Sequence, residues 1–100
     1  MNQVDLSRYV SDFESLPRAT TLLREEGLRC FLLHLKASEE MPEHKTRGAI
    51  TVQCLQGLVL FTEGEDRAEL VPGAVISVRG GSPHSVLARS NSLLLVTVSE

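Results

Sequence analysis

His34, His44 and His84 carry the three imidazoles of the chain, and Cys30 and Cys54 its two thiols. An imidazole titrates near neutral pH, so it can ligate a divalent metal, move a proton or hydrogen-bond a small ligand. The thiols lie in separate apolar runs without Cys-x-x-Cys spacing, which reads as buried cysteine in a reducing compartment. Glu39, Glu40 and Glu43 gather before His44, where one carboxylate could orient that imidazole, although a solvated loop is the simpler reading. There is no glycine-rich phosphate loop and no nucleophile elbow, and the serines fall in turns. The histidines are the marks of a candidate site.

The elements that must position them read as strands. Residues 20–24 and 28–36, joined by Glu25-Glu26-Gly27, form a predicted hairpin. Its second arm, from Leu28 to Leu35, is apolar on both faces, the pattern of a strand covered by the core on one side and by another layer or subunit on the other. His34 sits in that arm and reads as a histidine packed at a subunit interface, with a place in a pocket as the alternative. Residues 38–47 are polar, contain Pro42 and read as a loop. Strands are predicted at 49–55, 58–62, 67–70, 74–78, 84–88 and 93–98, separated by Gly, Pro, Asn and Ser turns. Short strands spaced roughly eight to twelve residues apart with no crossover helices predict an all-β sandwich or barrel of antiparallel sheets.

Residues 1–19 differ. Leu6, Val10 and Phe13 follow helical spacing, Asp5 can cap the start and Pro17 ends the pattern by Leu16. This predicts a short amphipathic helix or, alternatively, an extended arm laid on a partner subunit, followed by a single domain over 20–100. With 100 residues of which 42% are hydrophobic, the chain can build one core, and the marginal burial of a small domain favours a homodimer. The net charge is −3 and the ten basic residues are scattered, so no stripe exists to neutralise phosphates and nucleic acid is not an expected partner. No signal-like start and no apolar run near the ~18 residues of a membrane span is present, so a cytosolic location away from membranes is expected.

Two segments carry more than local structure: Met41-Pro42-Glu43-His44 through Leu55-Gln56-Gly57, and Pro72-Gly73 through Gly81-Ser82-Pro83-His84. Together they resemble the two signature motifs of the small single-domain cupins, jelly-roll or double-stranded β-helix barrels whose motifs flank a pocket that holds a metal in many members. His44 matches the first histidine of the first motif and Gly57 its closing glycine. Gly73, Gly81 and His84 match the two glycines and the histidine of the second. Ser38 stands where the family has the opening glycine, Thr46 at the second histidine, Ile50 at the glutamate, Arg79 at a proline and Ala88 at an asparagine. The resemblance spans roughly residues 28–98.

The resemblance implies a cupin barrel with a pocket lined by His44, Thr46, Ile50, Val52, Cys54 and His84, because side chains two apart on a strand share a face. The family's metal ligands are three histidines and a glutamate, and only His44 and His84 of that set remain. They imply at most a weak site for zinc, iron, manganese or nickel. Cys54 would complete a zinc or iron set by ligand type, but it follows His44 by ten residues, up to about 33 Å of extended strand, and reads better as a thiol under the pocket floor. Gln53 is expected to face outward. Lys45, Arg47 and Arg79 could make the mouth locally positive and favour an anionic ligand, against a reading as solvated surface charge. The expected function is small-molecule binding with a degenerate two-histidine metal site. The alternatives are a metal-dependent enzyme of the dioxygenase or isomerase kind and a dimeric sensor or interaction module.

Overall fold

Nine strands make up most of the chain: β1 Ala19–Glu25, β2 Leu28–Leu35, β3 Glu40–His44, β4 Ile50–Gln56, β5 Val59–Glu63, β6 Asp66–Leu70, β7 Val75–Val78, β8 His84–Ala88 and β9 Ser92–Ser99. In the computed structural model, which describes residues 1–100, they form two antiparallel sheets, ordered β1-β2-β9-β4-β7 and β3-β8-β5-β6. The chain crosses from one sheet to the other between β2 and β3, β3 and β4, β4 and β5, and again from β6 through β9. That path is an antiparallel jelly-roll barrel. No helix is long and apolar enough to cross a membrane.

Period-two alternation decides which residues fill it. Ile50, Val52 and Cys54 on β4, Val86 and Ala88 on β8, and Leu94, Val96 and Val98 on β9 belong to one buried cluster, while Thr51 faces solvent. Each such aliphatic side chain contributes roughly 1.5–3 kcal/mol by leaving water, which is what holds the two sheets face to face.

The polar stretch read as a loop over 38–47 contains β3. It is an edge strand paired only with β8, and its register shifts between Met41 and His44, around Pro42. Proline lacks an N–H and is tolerated at such an edge, where exposed Glu40 and Glu43 also discourage pairing with another chain. Polarity here marks an edge, not a loop.

The segment before β1 holds a single helical turn, α1 (Ser7–Val10), and a 3-10 turn over Phe13–Ser15. Asp5 accepts hydrogen bonds from the amide and the hydroxyl of Ser7, which holds its carboxyl below the usual carboxylate range. The segment lies over the outer face of the larger sheet. Leu16 accepts a hydrogen bond from His34 Nδ1 at 2.9 Å, the Phe13 ring meets the His34 ring edge-on at 5.6 Å, and Glu14 accepts from Asn91 at 2.8 Å. His34 therefore faces the chain's own N-terminal segment, on the side of β2 away from the cavity. Leu32 and Leu93, also outside the barrel cluster, are fully buried. The doubly apolar β2 strand therefore needs no second subunit at His34.

The motif positions have backbone reasons. Gly57 has φ +90°, and a Cβ there would come within 2.4 Å of the Asn91 carbonyl oxygen. Ser38, in place of the motif's opening glycine, keeps the left-handed φ of +72° and is the one non-glycine residue with positive φ. Ser38→Gly is expected to raise the unfolding free energy by roughly 0.5–1 kcal/mol, the balance of relieved strain against glycine's extra chain entropy. A urea midpoint that stays put or falls, at unchanged m-value, would contradict it.

Candidate functional site

Strand register stacks the interior side chains in rows. On the larger sheet Arg29 of β2 lies opposite Val98 of β9, which lies opposite Ile50 of β4; behind them come Phe31, Val96 and Val52, and then Leu33, Leu94 and Cys54. On the smaller sheet His44 of β3 lies opposite His84 of β8, and the row behind holds Met41, Val86 and Phe61. Between the sheets is a cavity of about 210 Å³ with 14 lining residues, 10 of them hydrophobic. Arg29, His44, Thr46 and His84 are its polar lining. The first rows of the two walls form the mouth, and everything behind them is apolar.

The two imidazoles are held alike. His44 Nδ1 donates to the Pro42 carbonyl and His84 Nδ1 to the Ser82 carbonyl, each at 3.0 Å and each two residues back in the chain. A carbonyl can only accept, so both protons are placed on Nδ1 and both Nε2 lone pairs remain available. The ring centroids are 4.5 Å apart. His84 is only 3% exposed and stacks on Phe61 at 5.6 Å, whereas His44 is exposed. One imidazole is fixed in the wall and the other stands at the rim.

The positions that would complete a metal site hold no donors for it. Ile50 is buried hydrocarbon, and the Thr46 hydroxyl donates to the Gly48 carbonyl at 2.9 Å. Glu63 lies beside His84 in register, but its carboxylate accepts from the Ser82 hydroxyl at 2.6 Å and lines an outer groove with Glu43, Asp66 and Arg79. No group of three His, Cys, Asp or Glu side chains converges anywhere. A held metal takes about three or four protein ligands, so this donor set does not fit a resident ion.

Of the residues expected at the pocket, His44, Thr46, Ile50, Val52 and His84 line the cavity, and Cys54 does not. Cys54 sits in the third row, fully buried, and its thiol donates to the Gln56 carbonyl at 3.4 Å, so it joins neither histidine. Burial pushes that thiol's pKa up. Gln53 is half-buried on the other side of the sheet, in the pair with Val75. The carboxylates before His44 do not orient it: Glu39 accepts from the Lys36 amide at 2.7 Å and pairs with Arg18, and the partner of His44 is backbone. Arg47 and Arg79 line outer grooves, and Lys45 is exposed. The cation in the cavity wall is Arg29. Its sequence signal was parity, since 29, 31, 33 and 35 share the inner face of β2, but a strand apolar on both faces hides which set points in.

No protein-family model and no curated protein matches the chain. Solved structures do. A cupin-2 domain protein from Shewanella frigidimarina superposes with a TM-score of 0.80 at 11% identity, covering 97% of this chain and 94% of that one. A cupin superfamily protein from Desulfitobacterium hafniense gives 0.78 at 20% identity over 81% and 74%. A protein from Thermus thermophilus gives 0.78 at 26% identity over 99% and 98%. These likenesses show a shared barrel.

The two cysteines should differ in reactivity. Cys30 is half-buried on the outer face, so it should react with a thiol reagent under native conditions, while Cys54 should stay protected until the barrel unfolds. Peptide mapping after timed alkylation checks this, and native labelling of Cys54 as fast as Cys30 would contradict its place in the floor.

Proposed function

We propose that this small cupin-type barrel is a binding protein for a small, largely apolar molecule whose polar end meets His44 and His84 at the mouth. The supporting observation is the division of the cavity: an apolar body of about 210 Å³ ending in two imidazoles with free Nε2 atoms. That volume exceeds the roughly 150 Å³ that holds benzene in an engineered apolar cavity and falls below the roughly 300 Å³ where drug-sized pockets begin. A ring or short branched chain bearing one polar group fits; a nucleotide does not.

A second reading, an enzyme using a divalent metal, draws on one feature. Anchoring Nδ1 to a carbonyl is also how metal-ligating histidines are oriented. Two nitrogens do not make a resident site, so that reading needs donors this chain does not bring together.

Benzyl alcohol serves as the first probe. We expect saturable binding by calorimetry and, at a hundredfold excess over Kd, a stabilisation of about 2.7 kcal/mol seen as a rise in Tm. Val52→Phe, which fills the cavity from its wall, should unfold cooperatively and lose the rise. No binding by wild type, or undiminished binding by the filled variant, would refute the assignment.

Metal content separates the two readings. Protein purified without a histidine tag should carry far less than one equivalent of zinc, iron, manganese or nickel. A full equivalent that disappears in both His44→Ala and His84→Ala would favour the enzyme.

A further inference from the structure

We propose that Arg29 is the anion anchor of the cavity, that its ligand is a small monocarboxylic acid with an apolar ring or chain, and that Glu100 competes with that ligand for the guanidinium. The proposal deepens the binding role above and rests on it: the carboxylate, which has no proton to donate, bonds Arg29 directly and reaches the Nε2 acceptors of His44 and His84 through a water that donates to both sides.

Arg29 is the only formally charged residue in the cavity wall, and no carboxylate shares the lining. In a chain of net charge −3, the cavity lining thus carries one formal positive charge and no negative one. The guanidinium is held over the Phe31 ring at 4.8 Å from its centroid, and Phe31 itself lines the cavity. Stacking of this kind fixes the plane of the fork and leaves its edges for a partner.

What Arg29 takes is already visible. Its Nε lies 3.3 Å from Oε2 of Glu100, a carboxylate in the groove outside the rim, which Arg29 also lines. The two side chains are 32% and 46% exposed, so the pair is screened by water and easily exchanged. The two terminal nitrogens of the guanidinium make no hydrogen bond to the protein, and a planar carboxylate matches such a fork with two parallel bonds. In the row behind Arg29, Phe31, Val96 and Val52 offer hydrocarbon for the rest of the acid. Head at Arg29 and tail toward Leu33 and Leu94 is the one orientation that buries no charge.

Benzoate and benzyl alcohol, matched in ring and differing in charge, test this by calorimetry on the full chain. Wild type should bind benzoate about three- to fivefold more tightly than benzyl alcohol, with the difference shrinking as salt is raised. Arg29→Gln should lose that preference, binding the two probes alike. Glu100→Gln, which leaves Arg29 in place and serves even if Arg29→Gln fails to fold, should tighten benzoate two- to fivefold. Equal binding of both probes by wild type, unchanged benzoate affinity in Arg29→Gln, or weaker benzoate binding in Glu100→Gln would overturn the anchor while leaving the binding barrel standing. Failure of wild type to bind either probe would overturn both.

Discussion

The site exists because of strand register. His44 and His84 are forty residues apart in sequence and meet because β3 and β8 pair with these two residues directly opposite. On the facing sheet, pairing of β2 with β9 and of β9 with β4 brings Arg29, Val98 and Ile50 into one row. A slip of one residue in either ladder would turn every one of these side chains to the outer surface, because strand side chains alternate. The burial that opposes such a slip comes from the same strands: Val86 and Ala88 beyond His84, and Val96 and Leu94 beyond Val98. The apolar rows thus do two things at once, holding the sheets together and fixing the polar residues at the mouth.

That dual role explains how much could be read in advance. Alternation and turn residues placed eight of the nine strands and the all-β architecture, because a two-residue period survives in any sheet with one wet face. The glycines at 57, 73 and 81 all have positive φ, so those turns were legible for a physical reason. β3 was hidden because an edge strand with Pro42 between two glutamates has the composition of a loop. His34 and Arg29 were hidden by a different ambiguity: when both faces of β2 are apolar, parity no longer tells the cavity from the outer layer, and the outer layer here is the segment ending at Leu16. Cys54 had the right parity and the wrong depth, which only the register with Leu94 reveals.

The replacements within the cupin-like pattern change the character of the pocket more than its shape. Thr46 and Ile50 remain in the wall, but one spends its hydroxyl on Gly48 and the other adds hydrocarbon beside Val98. With those donors gone, the two imidazoles offer lone pairs to a ligand donor and little to a metal. Fold likeness at 11–26% identity fixes the barrel and leaves the chemistry to these side chains.

Magnitudes then assign separate tasks to the two ends of the cavity. Burying a ring-sized apolar group is worth roughly 1.5–3 kcal/mol, whereas a half-exposed ion pair such as that of Arg29 is worth about 0–1 kcal/mol. Affinity must come mainly from the hydrocarbon rows, and discrimination from the mouth, where a wrong head group leaves the guanidinium or the buried His84 without a partner. Affinity is bounded by the small volume, since few atoms can be buried in it, and a dissociation constant near the millimolar range, about −4 kcal/mol, is what such a sum permits. Under the proposed binding role such a barrel would answer only to an abundant ligand, and its selectivity would rest on the few polar atoms that register has placed at its rim.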